Sequence, residues 1–167
     1  MLTRVNSLTV VSARGFTLFE LIIVILLIGV ISVTVAPKWV STPTNVNYEA
    51  NRVLNDIRYA QALSLTRGIR YRWVYVSATS YQILNESGVA IILPTGGTTL
   101  TLTSGTTISG LTNLPNNFIA FDSQGIPYTT SSIPGTALAA TASITLTGGG
   151  ATRTVQISPQ TGYGVVS

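Results

Sequence analysis

GFTLFELIIVILLIGVISVTVAP, residues 15–37, is the stretch from which the rest of the chain takes its meaning. From Phe16 to Ala36 it runs for 21 residues, interrupted only by Thr17, Glu20, Gly29, Ser32 and Thr34. A helix of that length rises roughly 30 Å, the thickness of one hydrocarbon core. Arg4 and Arg14 precede it and only Lys38 follows closely. That asymmetry keeps the N-terminus cytoplasmic and sends the remainder across the membrane. Glu20 is the anomaly. A carboxylate costs about 2.5–3.5 kcal/mol at mid-bilayer, less toward the interface, so it marks a partner or a function. Cutting the chain after Gly15 would create such a partner, an α-ammonium on Phe16 with an ordinary pKa of about 8. Two other readings stay open on the residues alone. One is an uncut signal anchor with Glu20 at the interface. The other is an exported protein cut near Ala36, which would lose Glu20 altogether.

Outside this run the composition narrows the possibilities. The chain has 167 residues, 46% hydrophobic and only 8% charged, with a formal net charge of +4 and a mean hydropathy of +0.45. Two of the basic residues, Arg4 and Arg14, belong to the N-terminal segment, so a strongly basic nucleic-acid surface is not indicated. There is no cysteine and no histidine. Catalytic thiols, disulfides and thiolate or imidazole metal sites are therefore excluded, and the commonest general base is missing.

Residues 1–15 form a leader. Pro37 and Pro43 bracket KWVSTPT and argue locally for a helix end or a bend, with Trp39 placed for a membrane interface. From about Asn47, NYEANRVLNDIRYAQALSLTRG carries Ala50, Val53, Leu54, Ile57, Ala60 and Leu63 or Ser64 at the 3.6 period. Glu49, Arg52, Asp56 and Arg67 fall mostly off that stripe, and Gly68 suits a C-cap. The pattern then turns to short strands: RYRWVYV (70–76), SYQIL (80–84), VAIIL (89–93) and TTLTLT (98–103), a meander of hairpins. NFIAFDSQGIPYT (117–129) reads as strand, turn, strand. ASITLTGGGATRTVQIS (142–158) reads as two strands around Gly148–Gly150, with a loop, SSIPGTALAAT, before it and GYGVV as a last edge.

The glycine, aromatic residue, Thr-Leu, glutamate and apolar run, in that register, resemble the prepilin N-terminus shared by type IV pilins and the pseudopilins of type II secretion. The resemblance implies that prepilin peptidase cuts after Gly15 and that Phe16 becomes an N-methylated first residue. It implies that Glu20 is the assembly glutamate and that Gly29 and Pro37 are features of the family's helix. LNDIRYAQALSLTRG, FDSQGIPY and ITLTGGGATRTVQISPQTGYGVV are similar to the minor pseudopilin H group and related minor pilins, including those of mannose-sensitive haemagglutinin pili. The absence of cysteine departs from the many major pilins that close a C-terminal loop with a disulfide. The implied architecture is α+β and pilin-like: a long N-terminal helix, membrane-spanning in its first half and loosened near Pro37, packed on a C-terminal antiparallel β domain. Its parts are a leader at 1–15, a membrane and filament-core helix at 16–37, the helix's second half at 38–68 and the β domain at 69–167. The implied function is that of a non-enzymatic minor pilin or pseudopilin, anchored in the cytoplasmic membrane with the β domain outside and then taken into a pilus or pseudopilus. Its partners are other subunits through the N-terminal helix, prepilin peptidase and the inner-membrane assembly platform, with no cofactor and no metal. Alternatives are a major pilin of the shaft and a DNA-binding minor pilin.

For the DNA reading the residues are Arg67, Arg70 and Arg72, beside Tyr71 and Trp73, since arginine and aromatics suit phosphates and stacked bases. Strand alternation places Arg70 and Arg72 on one face and the aromatics on the other, inward, which favours a solvated strand face. Glu86 and Asp122 fall in turns, and no phosphate loop, nucleophile elbow or metal-ligand cluster is present, so no catalytic residue is assigned.

Overall fold

The structure is a computed structural model that describes residues 17–35 and 42–167 apart from 95, with side chains at 17–29 and from 45 onward. The chain divides into two compact units, Met1–Val40 and Ser41–Ser167. The first contains helix α1, Leu18–Val35. Among the described residues no helix is long and apolar enough to cross a membrane; the run expected to do so, 16–37, is described only in part. The bend expected at Pro37 and the interfacial Trp39 lie outside the described residues.

The second unit opens with helix α2, Thr42–Arg67. It starts five residues before the periodic pattern, because Pro43 falls in its first turn, where a missing N–H costs nothing. Gly68, at φ 70°, closes it as expected, its N–H donating to Ser64 O at 3.0 Å. Val46, Ala50, Val53, Leu54, Ile57 and Ala60 form its buried stripe. Glu49, expected off that stripe, is instead fully buried. Its position belongs to the i, i+4, i+8 face of α2 with Val53 and Ile57, and partners across the packing interface satisfy the carboxylate.

Among the described residues nine strands follow, all paired antiparallel. β1 (Tyr71–Ser77), β2 (Ser80–Asn85), β3 (Thr99–Thr101), β5 (Phe118–Phe121) and β6 (Pro127–Tyr128) make one sheet in the order β3-β2-β1-β5-β6. β4 (Thr107–Thr112), β7 (Ala142–Gly148), β8 (Ala151–Ile157) and β9 (Gly164–Val166) make the other, in the order β4-β7-β8-β9. The arrangement is thus not one meander: β4 leaves the hairpin series and pairs with β7, Ile108 opposite Leu146. Its N–H at Ile108 also donates to Ala78 O in the β1–β2 turn at 2.7 Å, which joins the two sheets. VAIIL does not form a strand; it makes a single bridge, Leu84 to Ala90, along β2. Helix α2 packs on β1 and β5 of one sheet and on β7, β8 and β9 of the other. Between them lie Trp73, Tyr81, Ile83, Ile119, Phe121, Ile144, Leu146 and Ile157, all essentially without solvent contact. Every buried hydrophobic residue described lies within Ser41–Ser167, so this unit carries its own core.

Candidate functional site

Helix α1 begins at a cap written into the sequence. Thr17 Oγ1 accepts the Glu20 N–H at 3.2 Å and Thr17 O accepts the Leu21 N–H at 3.2 Å. Thr-x-x-Glu is the spacing of a capping box, in which the threonine satisfies one of the helix's orphan donors. Glu20 is exposed, and its carboxylate makes no hydrogen bond or ion pair among the described residues. Around it every apolar side chain from Leu18 to Ile28 is also exposed, between 43% and 78%. A Cβ placed on Gly29 would meet no described atom within 4 Å. A helix that is apolar all round and covered by none of the described residues calls for lipid or protein around it. Gly15, Phe16 and Pro37 lie outside the described residues.

The three arginines differ in exposure. Arg67 ends α2 and is exposed. Arg70 is buried; its guanidinium donates to Ser132 O and to Pro134 O, the latter at 2.6 Å, and lies 4.2 Å from the Tyr128 ring centre. Its backbone N–H donates to Glu86 at 3.2 Å. Arg72 is half-buried with its guanidinium 5.6 Å from the Phe118 ring centre. Tyr71 and Trp73 point inward as alternation requires. Arg70 departs from the strand face because it precedes β1, where its side chain turns to hold the 130–136 loop. Two carbonyls and an aromatic face replace the water it gives up.

The C-terminal motifs converge on α2. Asp122 Oδ1 accepts the N–H of Gln124 and of Ile126, both at 2.9 Å, which shapes the turn in FDSQG and leaves Gly125 at φ 78°. Gln61 Nε2 donates to Gly125 O and to Thr161 O, both at 2.9 Å. Arg58 donates to Gly164 O at 2.9 Å. Gly162, at φ 65°, brings the backbone so close that a Cβ there would lie 2.8 Å from the Phe121 ring, and one on Gly164 would overlap the Leu54 side chain. The FDSQG and SPQTGYG turns are therefore a clasp that closes the β strands onto the helix. Gln61 and Arg58 were not singled out from the sequence, since both lie on the polar side of the helical pattern.

A polar seam binds the first half of α2 to β2 and β3. Glu49 accepts the Thr103 N–H at 3.1 Å and the Thr103 hydroxyl, and pairs with Arg52 at 3.4 Å. Arg52 also donates to Thr101 O at 3.3 Å. One turn on, Asp56 accepts the Tyr81 hydroxyl at 2.6 Å. Burial holds the Asp56 carboxyl above its usual range, against the opposing effects of the Tyr81 hydrogen bond and Arg52. Burial, with Asp56 beside it, raises Tyr81. These groups are spent on one another and on backbone. Among the described residues no three carboxylates gather as a metal site.

A family model described as type II transport protein GspH matches residues 49–161. That span takes in most of α2, the polar seam, Arg70 and the clasp as far as Thr161. No curated protein sequence matches the chain. Two crystal structures of the type IV minor pilin FimU of Pseudomonas aeruginosa strain PAO1 share the fold. One gives a TM-score of 0.52 at 13% identity over 74% of this chain and 89% of that one. The other gives 0.50 at 14% identity over 72% and 91%.

Proposed function

The chain belongs to the GspH family of type II transport proteins, and from that membership we propose that it is a minor pilin or pseudopilin assembled through its N-terminal helix. The observation that carries the proposal is α1: an apolar helix, uncovered among the described residues, with a carboxylate in its first turn, Glu20, that has no partner among them. Lipid covers such a helix before assembly, with the β unit on the far side of the cytoplasmic membrane, and neighbouring subunits cover it afterwards. Prepilin peptidase cuts after Gly15, Phe16 is N-methylated, and the Phe16 amine of a neighbour neutralises Glu20. Misregistered packing leaves both charges unpaired in a low-dielectric core, so the pair sets axial register. Head-to-tail contacts of this kind do not close, and they build a fibre. As a minor subunit the chain primes or tips the filament on the inner-membrane platform, and it performs no catalysis. Glu20→Ala tests the role of the carboxylate: processing and membrane insertion are kept while entry into filaments is lost, and normal filament entry by the variant would sink the proposal.

A further inference from the structure

We propose that residues 89–92, with the cleft beside them, receive an extended strand of another protein, apolar in sequence and carrying one acidic side chain. The proposal concerns the β unit alone and does not depend on assembly through α1.

The segment lies along the outer edge of β2. Asn85 N–H donates to Val89 O and Ile91 N–H to Ile83 O, both at 2.9 Å, around the Leu84–Ala90 bridge. Those bonds use the side of the segment that faces β2. In an extended chain the alternate residues face the other way. The Ala90 N–H and C=O and the Ile92 N–H have no partner among the described residues. An edge of this kind is normally guarded by a charge, a proline or a covering element. Here Val89 is 60% and Ile92 73% exposed, and the segment contains neither charge nor proline.

Beside the edge is a cleft of about 270 Å³ lined by Tyr59, Leu63, Arg67, Tyr71, Ile91 and Ile92. That is below the roughly 300 Å³ at which small-molecule pockets begin, and it suits a side chain entering from a strand. Arg67 makes no ion pair among the described residues, and Glu86 accepts the Arg70 N–H. Free backbone donors and acceptors specify a strand rather than a lipid. The apolar walls and the Arg67 guanidinium specify its side chains.

The test uses the Ser41–Ser167 unit, which holds the whole described core. The probe is an acetylated heptapeptide of alternating valine and threonine with one glutamate. At saturation, hydrogen exchange at the Ala90 and Ile92 amides slows at least tenfold. The glutamine twin of the peptide, and the Arg67→Gln unit, each bind at least fivefold more weakly. Ala90→Pro removes an N–H that the fold does not use, so it loses binding at least tenfold with an unchanged melting midpoint. A peptide N-methylated at alternate residues, which leaves the protein untouched, fails to bind. Unslowed exchange, or equal binding of the N-methylated peptide, overturns the proposal. So does protection of the same amides without peptide that grows with protein concentration, since the occupant is then a second copy.

Discussion

Glu49→Ala is the sharpest test of how helix α2 is fastened to the sheets. The substitution leaves the Thr103 N–H without its acceptor and frees Arg52 from its only ion pair among the described residues. Thr103 is exposed, so its N–H can turn to water and the loss is that of hydrogen bonds to a charged group, about 1.5–3 kcal/mol, and the Arg52 pair adds about 0.5 kcal/mol because Arg52 is partly solvated. Losing a buried methylene adds about 0.8 kcal/mol. Relief from burying a charge offsets part of this, since Glu49 is fully desolvated. The net expectation is a loss of about 2–3 kcal/mol, or roughly 10 °C in melting midpoint for a unit of this size. Urea unfolding of the Ser41–Ser167 unit, followed by circular dichroism, measures it. Glu49→Gln is the control: it keeps an acceptor for Thr103 without the charge and costs about 1 kcal/mol or less. If alanine costs under about 0.5 kcal/mol, or if glutamine is as damaging as alanine, the hydrogen-bond account of the seam is wrong.

Gly164→Ala drives a methyl group into Leu54 and lowers stability by about 1–3 kcal/mol; a melting midpoint equal to the parent's would show that the clasp is looser than described. Asp56 has a folded pKa raised above 3.8 by burial, so its contribution is greatest when protonated and is lost as pH rises through the folded value. Asp56→Asn keeps an acceptor for Tyr81 without that titration. The stability difference therefore shifts in favour of the variant as pH rises from about 4 through the folded value; a difference constant over that rise would contradict the assignment.

The parts of the fold legible in the sequence were those with strong periodicity. The α2 stripe and the strands around Trp73, Ile83, Ile119, Ile144 and Val155 all announced themselves by alternation or by the 3.6 period. β4 did not, because TISGLT is short, weakly apolar and broken by a bulge between Ile108 and Gly110. Missing it hid the split into two sheets, since its pairing with β7 spans a long stretch of chain and leaves no local mark. VAIIL misled in the opposite direction. It has the composition of a strand, yet β2 takes β3 as its main partner on that side and leaves 89–92 a single bridge. Among the functional residues, Glu20 was legible because a carboxylate inside an apolar run is conspicuous. Glu49, Gln61 and Arg70 were not, since each is a polar residue whose role rests on a backbone group 54, 64 and 62 positions away.

The mass of the mature N-terminus tests the central claim most directly. Purified from the membrane of its source, the chain is expected to begin at Phe16 and to carry one added methyl group, with Glu20 retained four residues on. A chain that still begins at Met1, or one that begins after Val35 and has lost Glu20, would contradict the account.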